Sequence, residues 1–411
     1  MRRTAIATFS LAAVLALSAA AACAGTEQRA ADPGVTPTSL LLGGTAPLSG
    51  SASAYAAVAR GADAYFKYVN AGGGVFSRKL SYTYVDDAYN PAQTVQATRR
   101  LVEQDHVFAI FNSLGTEHNL AIREYLNAAK VPQLFVASGA TTWGRDAARY
   151  PQTVGFQPSY QAEGWVYGKY LARTRPRAKV AVLAQNDDYG RDLLVGLERG
   201  IHRSPVRIVA AENYEVTASD VQSQIAKLKA SGADTLAVFA TPKFAIQSYV
   251  YANRLAWRPL VINNAVSSAS NIMQLASEGG TNKTIKGSIS VGFLKDPTDP
   301  KWRSDAAMRL YRSIMARYAR GANPKDVYHV YGMAVAYTLV HVLKKSGANV
   351  TRAAVLRQAR SLTIPANPFL LPGIQIKTKG ADQFPIEQML LQRWQSSGWR
   401  SFGGIWGYRA T

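Results

Sequence analysis

From residue 39 onward, short apolar and β-branched runs return at regular intervals. They read "SLLLGG", "LSYTYVDD", "HVFAIFN", "PQLFVAS", "AKVAVLAQ", "VRIVAAE", "DTLAVFA", "PLVINN" and "GSISVGF". Longer stretches with helical spacing lie between them, at 56–70, 91–104, 117–130, 189–201 and 219–230. A short run that is apolar throughout suits a strand buried on both faces. Strands alternating with helices predict α/β architecture, with parallel sheets covered on both sides. Nine strands are too many for one comfortable doubly wound sheet, and 411 residues favour two domains. The first four strands form one unit, ending near 155. "AKVAVLAQ" opens a second, which runs to about 286. Pattern alone does not place "GSISVGF" or the helical stretches after it.

The N-terminus carries a separate message. "MRRTAIATFSLAAVLALSAAAAC" has a basic start, an apolar core and a small-residue patch ending at Cys23, which is the form of a secretory signal. Cys23 is the one cysteine in the chain, so no internal disulfide can form. Its setting, "AAAC", resembles a bacterial lipoprotein cleavage box, with Ala20 where Leu is usual. Residues 1–23 are therefore read as a signal peptide with a lipobox, and Cys23 as a lipidation site. The alternative is plain export. Residues 24–37 are polar and rich in Gly, Pro and Thr, as a flexible tether is. No other run reaches the length of a membrane span.

Charge and motifs exclude several functions. The formal charge is +21, from 47 Lys+Arg against 26 Asp+Glu. The basic residues are spread out, with no dense block and no nucleic-acid motif, so nucleic acid is not the expected partner. Either proximity to a membrane or a general preference for arginine accounts for them. There is no G-x-S-x-G elbow, no H-E-x-x-H, no P-loop and no G-x-G-x-x-G after a strand. The five histidines show no metal-ligand spacing. No cofactor, metal or catalytic group is expected. Asp86 and Asp87, in "VDDAYNP", read as turn and capping residues before a helix near Pro91.

The positive signal is at the strand ends. They read "APLSGSASAY", "NSLGT", "ASGAT", "QNDDYG", "ATPKF" and "NNAVSSAS", rich in small hydroxyl and amide residues and poor in charge. Ligands of open parallel sheets bind beyond the carboxyl ends of the strands. Thr116 stands at the mouth of a helix, where free N–H groups and the helix dipole suit a carboxylate. It could equally cap that helix. Six such clusters argue for a shared cleft.

These strand ends, with "GGTAPLSGSASAYAAVARGADAYFKYVNAGGGV", "VDDAYNPAQTVQATRRLVEQDHVFAIFNSLGT", "NAAKVPQLFVASGAT", "VAVLAQNDDYGRDLLVGLERGI" and "YHVYGMAVAYTLVHVL", resemble the Leu/Ile/Val-binding proteins of bacterial ABC importers. The resemblance covers nearly all of the mature chain. It implies the type I periplasmic binding fold, two doubly wound lobes joined by three crossovers. The first lobe would take 38–155 and 287–361, the second 156–286 and 362–411.

By the same resemblance, Thr116 meets the ligand carboxylate, and Gly139 and Thr141 supply the next contacts. Tyr55 and Tyr189 come from the first and second lobes. The position after "AVFA" falls on Thr241, Pro242 or Phe244. Trp143 could extend an apolar pocket or pack against the lobe. Amino-acid binders of the family place a carboxylate after the "PLVI" strand to meet the ligand's ammonium. Here Asn263 and Asn264 stand there, with dipoles and no charge. Asp187 or Asp188 could substitute, though "NDDYG" suits a helix start. The implied function is a monomeric, lipid-anchored solute receptor outside the cytoplasm. It would deliver a small carboxylate or amide to an ABC permease and its ATPase. An extracellular sensor domain or a secreted α/β enzyme are the alternatives.

Overall fold

The computed structural model describes residues 31–278 and 282–408. Cys23 and the leader lie outside them. Strands β1 (Ser39–Ala46), β2 (Lys79–Asp86), β3 (Ala109–Phe111), β4 (Gln133–Val136) and β5 (Thr153–Gly155) form a parallel sheet in the order β2-β1-β3-β4-β5. Strands β6 (Lys179–Gln185), β7 (Arg207–Tyr214), β8 (Thr235–Phe239), β9 (Leu260–Asn263) and β10 (Ile289–Gly292) repeat that parallel order in a second sheet. A two-stranded pair follows, β11 (Thr363–Ile364) with β12 (Ile376–Lys377). The hairpin β13 (Gln388–Gln395) and β14 (Gly398–Gly407) then adds to β10 antiparallel, giving seven strands. The nine apolar runs all fall on strands. β5 and the late hairpin carry no comparable sequence signal.

The chain crosses between sheets just after β5, just after β10 and just before β13, and this corrects the expected boundaries. "GSISVGF" was expected to open the return to the first lobe at 287. Instead Ile289 pairs with Ile262 of β9, and β10 completes the second sheet. The third crossing also comes later than 361. Leu362, Ile364, Phe369, Leu370, Ile374, Ile376 and Ile386 are buried in the first lobe's core beside Phe66, Tyr311 and Leu339. Removing those side chains from water holds the segment there. The tether ends earlier than 37. Asp32 accepts from Arg352 N at 2.6 Å, and Arg78 Nε donates to Thr36 O at 2.8 Å.

Close helix pairs set the shape of each lobe. In the first, the Ala56–Ala71 helix meets the Val327–Ser346 helix at Gly61 and Gly332. A Cβ on Gly61 would lie 2.3 Å from His329 O, and one on Gly332 would lie 2.1 Å from Val58 O. Gly164 and Gly196 do the same for the Tyr160–Thr174 and Asp188–Ile201 helices of the second lobe. That second seam brings the first turns of both helices together, so the Tyr160 and Tyr189 rings meet edge to face at 4.9 Å.

Candidate functional site

The carboxyl ends of both sheets face each other across a cavity between the lobes. On the first-lobe side, β3 ends in Asn112-Ser113-Leu114-Gly115 and a helix begins, Thr116–Ala128. Gly115 is the N-cap, with φ of 110°, and a Cβ there would strike the His118 ring at 2.2 Å. Only glycine accepts that conformation without cost. Thr116 is therefore the first helical residue, and its hydroxyl does not cap the helix. Thr116 Oγ1 lies 2.8 Å from Ser138 Oγ, which also accepts from Ala140 N. Ser138 can donate to Thr116 and leave the Thr116 O–H for a ligand. The first-turn N–H groups have no intrahelical acceptor. Together they offer an anion two kinds of donor.

Tyrosines line much of the rest. Tyr55, Tyr89, Tyr328 and Tyr331 come from the first lobe, Tyr160 and Tyr189 from the second. The hydroxyls of Tyr55 and Tyr331 are buried without a hydrogen-bond partner. Such groups call for a ligand or water to satisfy them. Val58, Leu114, Val266, Val291, Phe293 and Leu294 supply apolar surface. The space left open to the centre of a water molecule is about 90 Å³, several times what one water needs.

Among the described residues, Glu163 is the one carboxylate in this wall, and it is 3 % exposed. Its Oε1 accepts from Ala265 N at 2.7 Å and from Tyr167 OH at 2.9 Å. No lysine, arginine or histidine pairs with it among the described residues. Burial pushes its pKa up to about 7 against the pull of those two bonds.

Of the expected contacts, Tyr55, Thr116, Tyr189 and Thr241 come together on the cavity wall. Pro242 and Phe244 do not; Phe244 is buried against Tyr214 at 4.3 Å. Gly139, Thr141 and Asn264 also lie off the wall. Gly139 O accepts from Tyr160 N at 2.7 Å, and a Cβ there would meet Pro158 O at 2.5 Å. Thr141 Oγ1 pairs with Ser159 Oγ at 2.9 Å, and Thr141 N donates to Asp192. Both residues shape the crossover. Asn264 is fully buried. In the amide orientation that satisfies its neighbours, Nδ2 donates to Val238 O and Ala240 O, and Oδ1 accepts from Tyr189 OH at 2.7 Å. It holds Tyr189. Trp143 is buried against Gly155 and leaves the cavity alone. Asp187 caps its helix by accepting from Gly190 N, and Asn90 caps the helix after Asp87.

The residues missed are Tyr89, Tyr160, Glu163, Tyr328 and Tyr331. Ser159 and Glu163 in "PSYQAEG" read as an ordinary helix start, an N-cap with an acid in the first turn. That local role hid a residue whose other face meets the cavity.

The lobes are closed. Asp188 N donates to Glu117 Oε1 at 3.1 Å across the gap, and Asn271 Nδ2 donates to Asp326 at 3.1 Å. Two doubly wound lobes, three crossings and a cavity between the lobes at the strand ends form a hinged pair with room for a small solute. A family model described as periplasmic binding protein matches residues 40–399. The chain belongs to that family. It is 23% identical over 390 residues to Leu/Ile/Val-binding protein homolog 7 of Brucella abortus, covering 93% of this chain and 94% of that one. Among solved structures, it resembles a branched chain amino acid ABC transporter from Thermus thermophilus with bound valine. The TM-score is 0.79 at 16% identity, over 92% and 98% of the two chains. A solute binding protein of an ABC transporter from R. palustris, in complex with benzoate, gives 0.74 at 17%, over 90% and 98%.

Proposed function

We propose that this protein is the extracytoplasmic receptor of an ABC importer, anchored through Cys23 and acting as a single copy. It captures one small carboxylate-bearing solute between its lobes and presents it, closed, to the permease. The observation that carries this reading is Thr116, buried at the open N-terminus of its helix and facing the cavity between the lobes. Relatives named for leucine, isoleucine and valine, and a structural neighbour holding benzoate, support a ligand of that size. Eight residues, 24–31, separate Cys23 from the docked Asp32. Fully extended they reach about 25–30 Å, enough for a body held close to a membrane.

A thermal-shift screen of L-valine, L-isoleucine, L-leucine, L-phenylalanine, benzoate and hexanoate tests the binding role. A ligand raises the melting point with concentration over Kd. At least one probe should do so, and Thr116→Ala should weaken that response. The absence of any shift across the panel would refute the reading. For the anchor, Cys23→Ser should release the protein from membranes into the medium or periplasm; retention would refute lipidation.

A further inference from the structure

We propose that the base of the first lobe is a docking surface for an anionic lipid bilayer, on which the receptor rests with its solute cavity on the side away from the membrane. The inference rests on the reading that anchors Cys23 in the membrane, and adds how the body lies against it.

Three observations carry it. First, a groove runs along the amino ends of the first sheet's strands. Thr36 and Pro37 line it just before β1, Arg78 before β2, Lys130 before β4 and Gln152 before β5. The strands are parallel, so this edge is the opposite end of the sheet from the carboxyl ends that meet the solute cavity.

Second, the groove is strongly cationic. Arg78, Lys130, Arg352, Arg357 and Arg360 line it against one carboxylate, Asp32, among the described residues. Asp32 accepts from the main chain, at Arg352 N. Three of the guanidiniums are fixed by neutral carbonyls. Arg78 donates to Thr36 O and Ala348 O, Arg352 to Val107 O and Phe108 O, and Arg360 to Ala147 O and Pro151 O. Those bonds hold the groups in place and leave their charge unneutralised. A guanidinium has five N–H donors, so each keeps some for a phosphate oxygen. Lys130 and Arg357 are exposed, and their side chains make no hydrogen bond among the described residues.

Third, the chain itself leads to this face. Asp32 is docked in the groove, and eight residues, 24–31, separate it from Cys23. An anchor at Cys23 therefore keeps the groove within about 25–30 Å of the headgroups. The attraction of basic groups to anionic headgroups acts over about 10 Å, so a leash this short returns the groove to capture range each time it leaves. The contact is reversible and frees the receptor for delivery.

The rival account is that a chain of net charge +21 adheres to any anionic surface through no particular face. Two double variants separate them. Lys130→Glu with Arg357→Glu alters the groove. Arg207→Glu with Arg258→Glu makes the same change in net charge at exposed sites of the second lobe. The full mature chain, purified without acylation, is sedimented with vesicles of phosphatidylcholine alone or mixed with phosphatidylglycerol, at low and high salt. The expected result is binding to the anionic vesicles only, lost at high salt. The groove variant should bind roughly tenfold more weakly or worse, and the second-lobe variant should bind nearly as wild type. Equal losses in the two variants would overturn the proposal, as would no binding to anionic vesicles or equal binding to neutral ones. Circular dichroism checks that both variants keep their fold. None of these outcomes touches the anchor, which is read from Cys23→Ser: protein held by the groove washes off at high salt, and an acylated chain stays.

Discussion

The Tyr328 hydroxyl of the first lobe donates to the Val266 carbonyl of the second at 2.6 Å. The same ring sits edge-on to Tyr55 at 5.2 Å. One side chain thus joins the lobes and lines the cavity they enclose. In an opened protein the Val266 carbonyl can turn to water, so this bond favours closure alone.

Tyr328→Phe removes the donor and keeps the ring. A net hydrogen bond of about 0.5–1.5 kcal/mol predicts affinity weaker by roughly 2–10-fold for whichever probe binds. The unliganded variant should also scatter X-rays as a more open particle. Unchanged affinity together with an unchanged scattering profile would remove Tyr328 from the closure mechanism.

Asn264 offers a second case of action through a neighbour. Asn264→Ala leaves the Val238 and Ala240 carbonyls without donors and Tyr189 without its acceptor. Unpaired buried groups cost about 1–3 kcal/mol, so denaturant melts should show a loss of that size. Binding should fall about as far as in Tyr189→Phe, and the double variant should lose little more, because both changes break one link. Additive losses would mean that Asn264 and Tyr189 act separately.

How much of this was legible in the sequence depended on whether a residue's role was local. β1, β6 and β8 announce themselves because a strand buried on both faces must be apolar throughout. Thr116 and Tyr189 stand at turns whose composition marks them as strand ends. β10 gave no sign of its lobe, since Ile289 would suit either sheet until Ile262 is beside it. Tyr328 and Tyr331 lie far from any strand end, on a helix apolar around most of its surface. Nothing in their neighbours distinguishes a core tyrosine from one facing a ligand. Gly139 and Thr141 show the opposite failure. Their small polar composition suited a ligand, and the crossover at Pro158 and Ser159 used it instead.

The helix seam of the first lobe predicts a stability effect away from the site. In Gly332→Ala the new methyl carbon would meet Val58 O at 2.1 Å and Ala62 N at 2.6 Å. Backbone on both sides leaves no flexible side chain to yield, so the helices must separate. Overpacking of this kind costs about 1–3 kcal/mol, despite alanine's better helix propensity. Chemical denaturation reads the loss, and a stabilised variant would show that the helices part freely.

Glu163 makes the last prediction, and its sign follows from its burial. Its carboxyl titrates near pH 7 in the folded protein against an ordinary value of 4.5. Below pH 4.5 both folded and unfolded chains hold the proton, and the group is neutral in its effect. As pH rises toward 7, the unfolded chain ionises while the folded one does not, so stability falls. Above pH 7 the deficit is complete, about 3 kcal/mol at about 1.4 kcal/mol per tenfold in proton affinity. Asp187 and Asp326, both pushed up to about 6 by burial, add deficits of the same sign. His329, pushed down to about 4 by burial, acts oppositely and costs stability as pH falls below 6.5. Glu163→Gln removes one contribution and leaves the others. The variant should match wild type near pH 4.5 and exceed it by up to about 3 kcal/mol at pH 8, read from denaturant melts at both. A difference that stays constant with pH would mean that Glu163 is not a strained, uncompensated charge. If it does grow, the chain carries on its cavity wall a buried carboxyl that costs it stability at neutral pH.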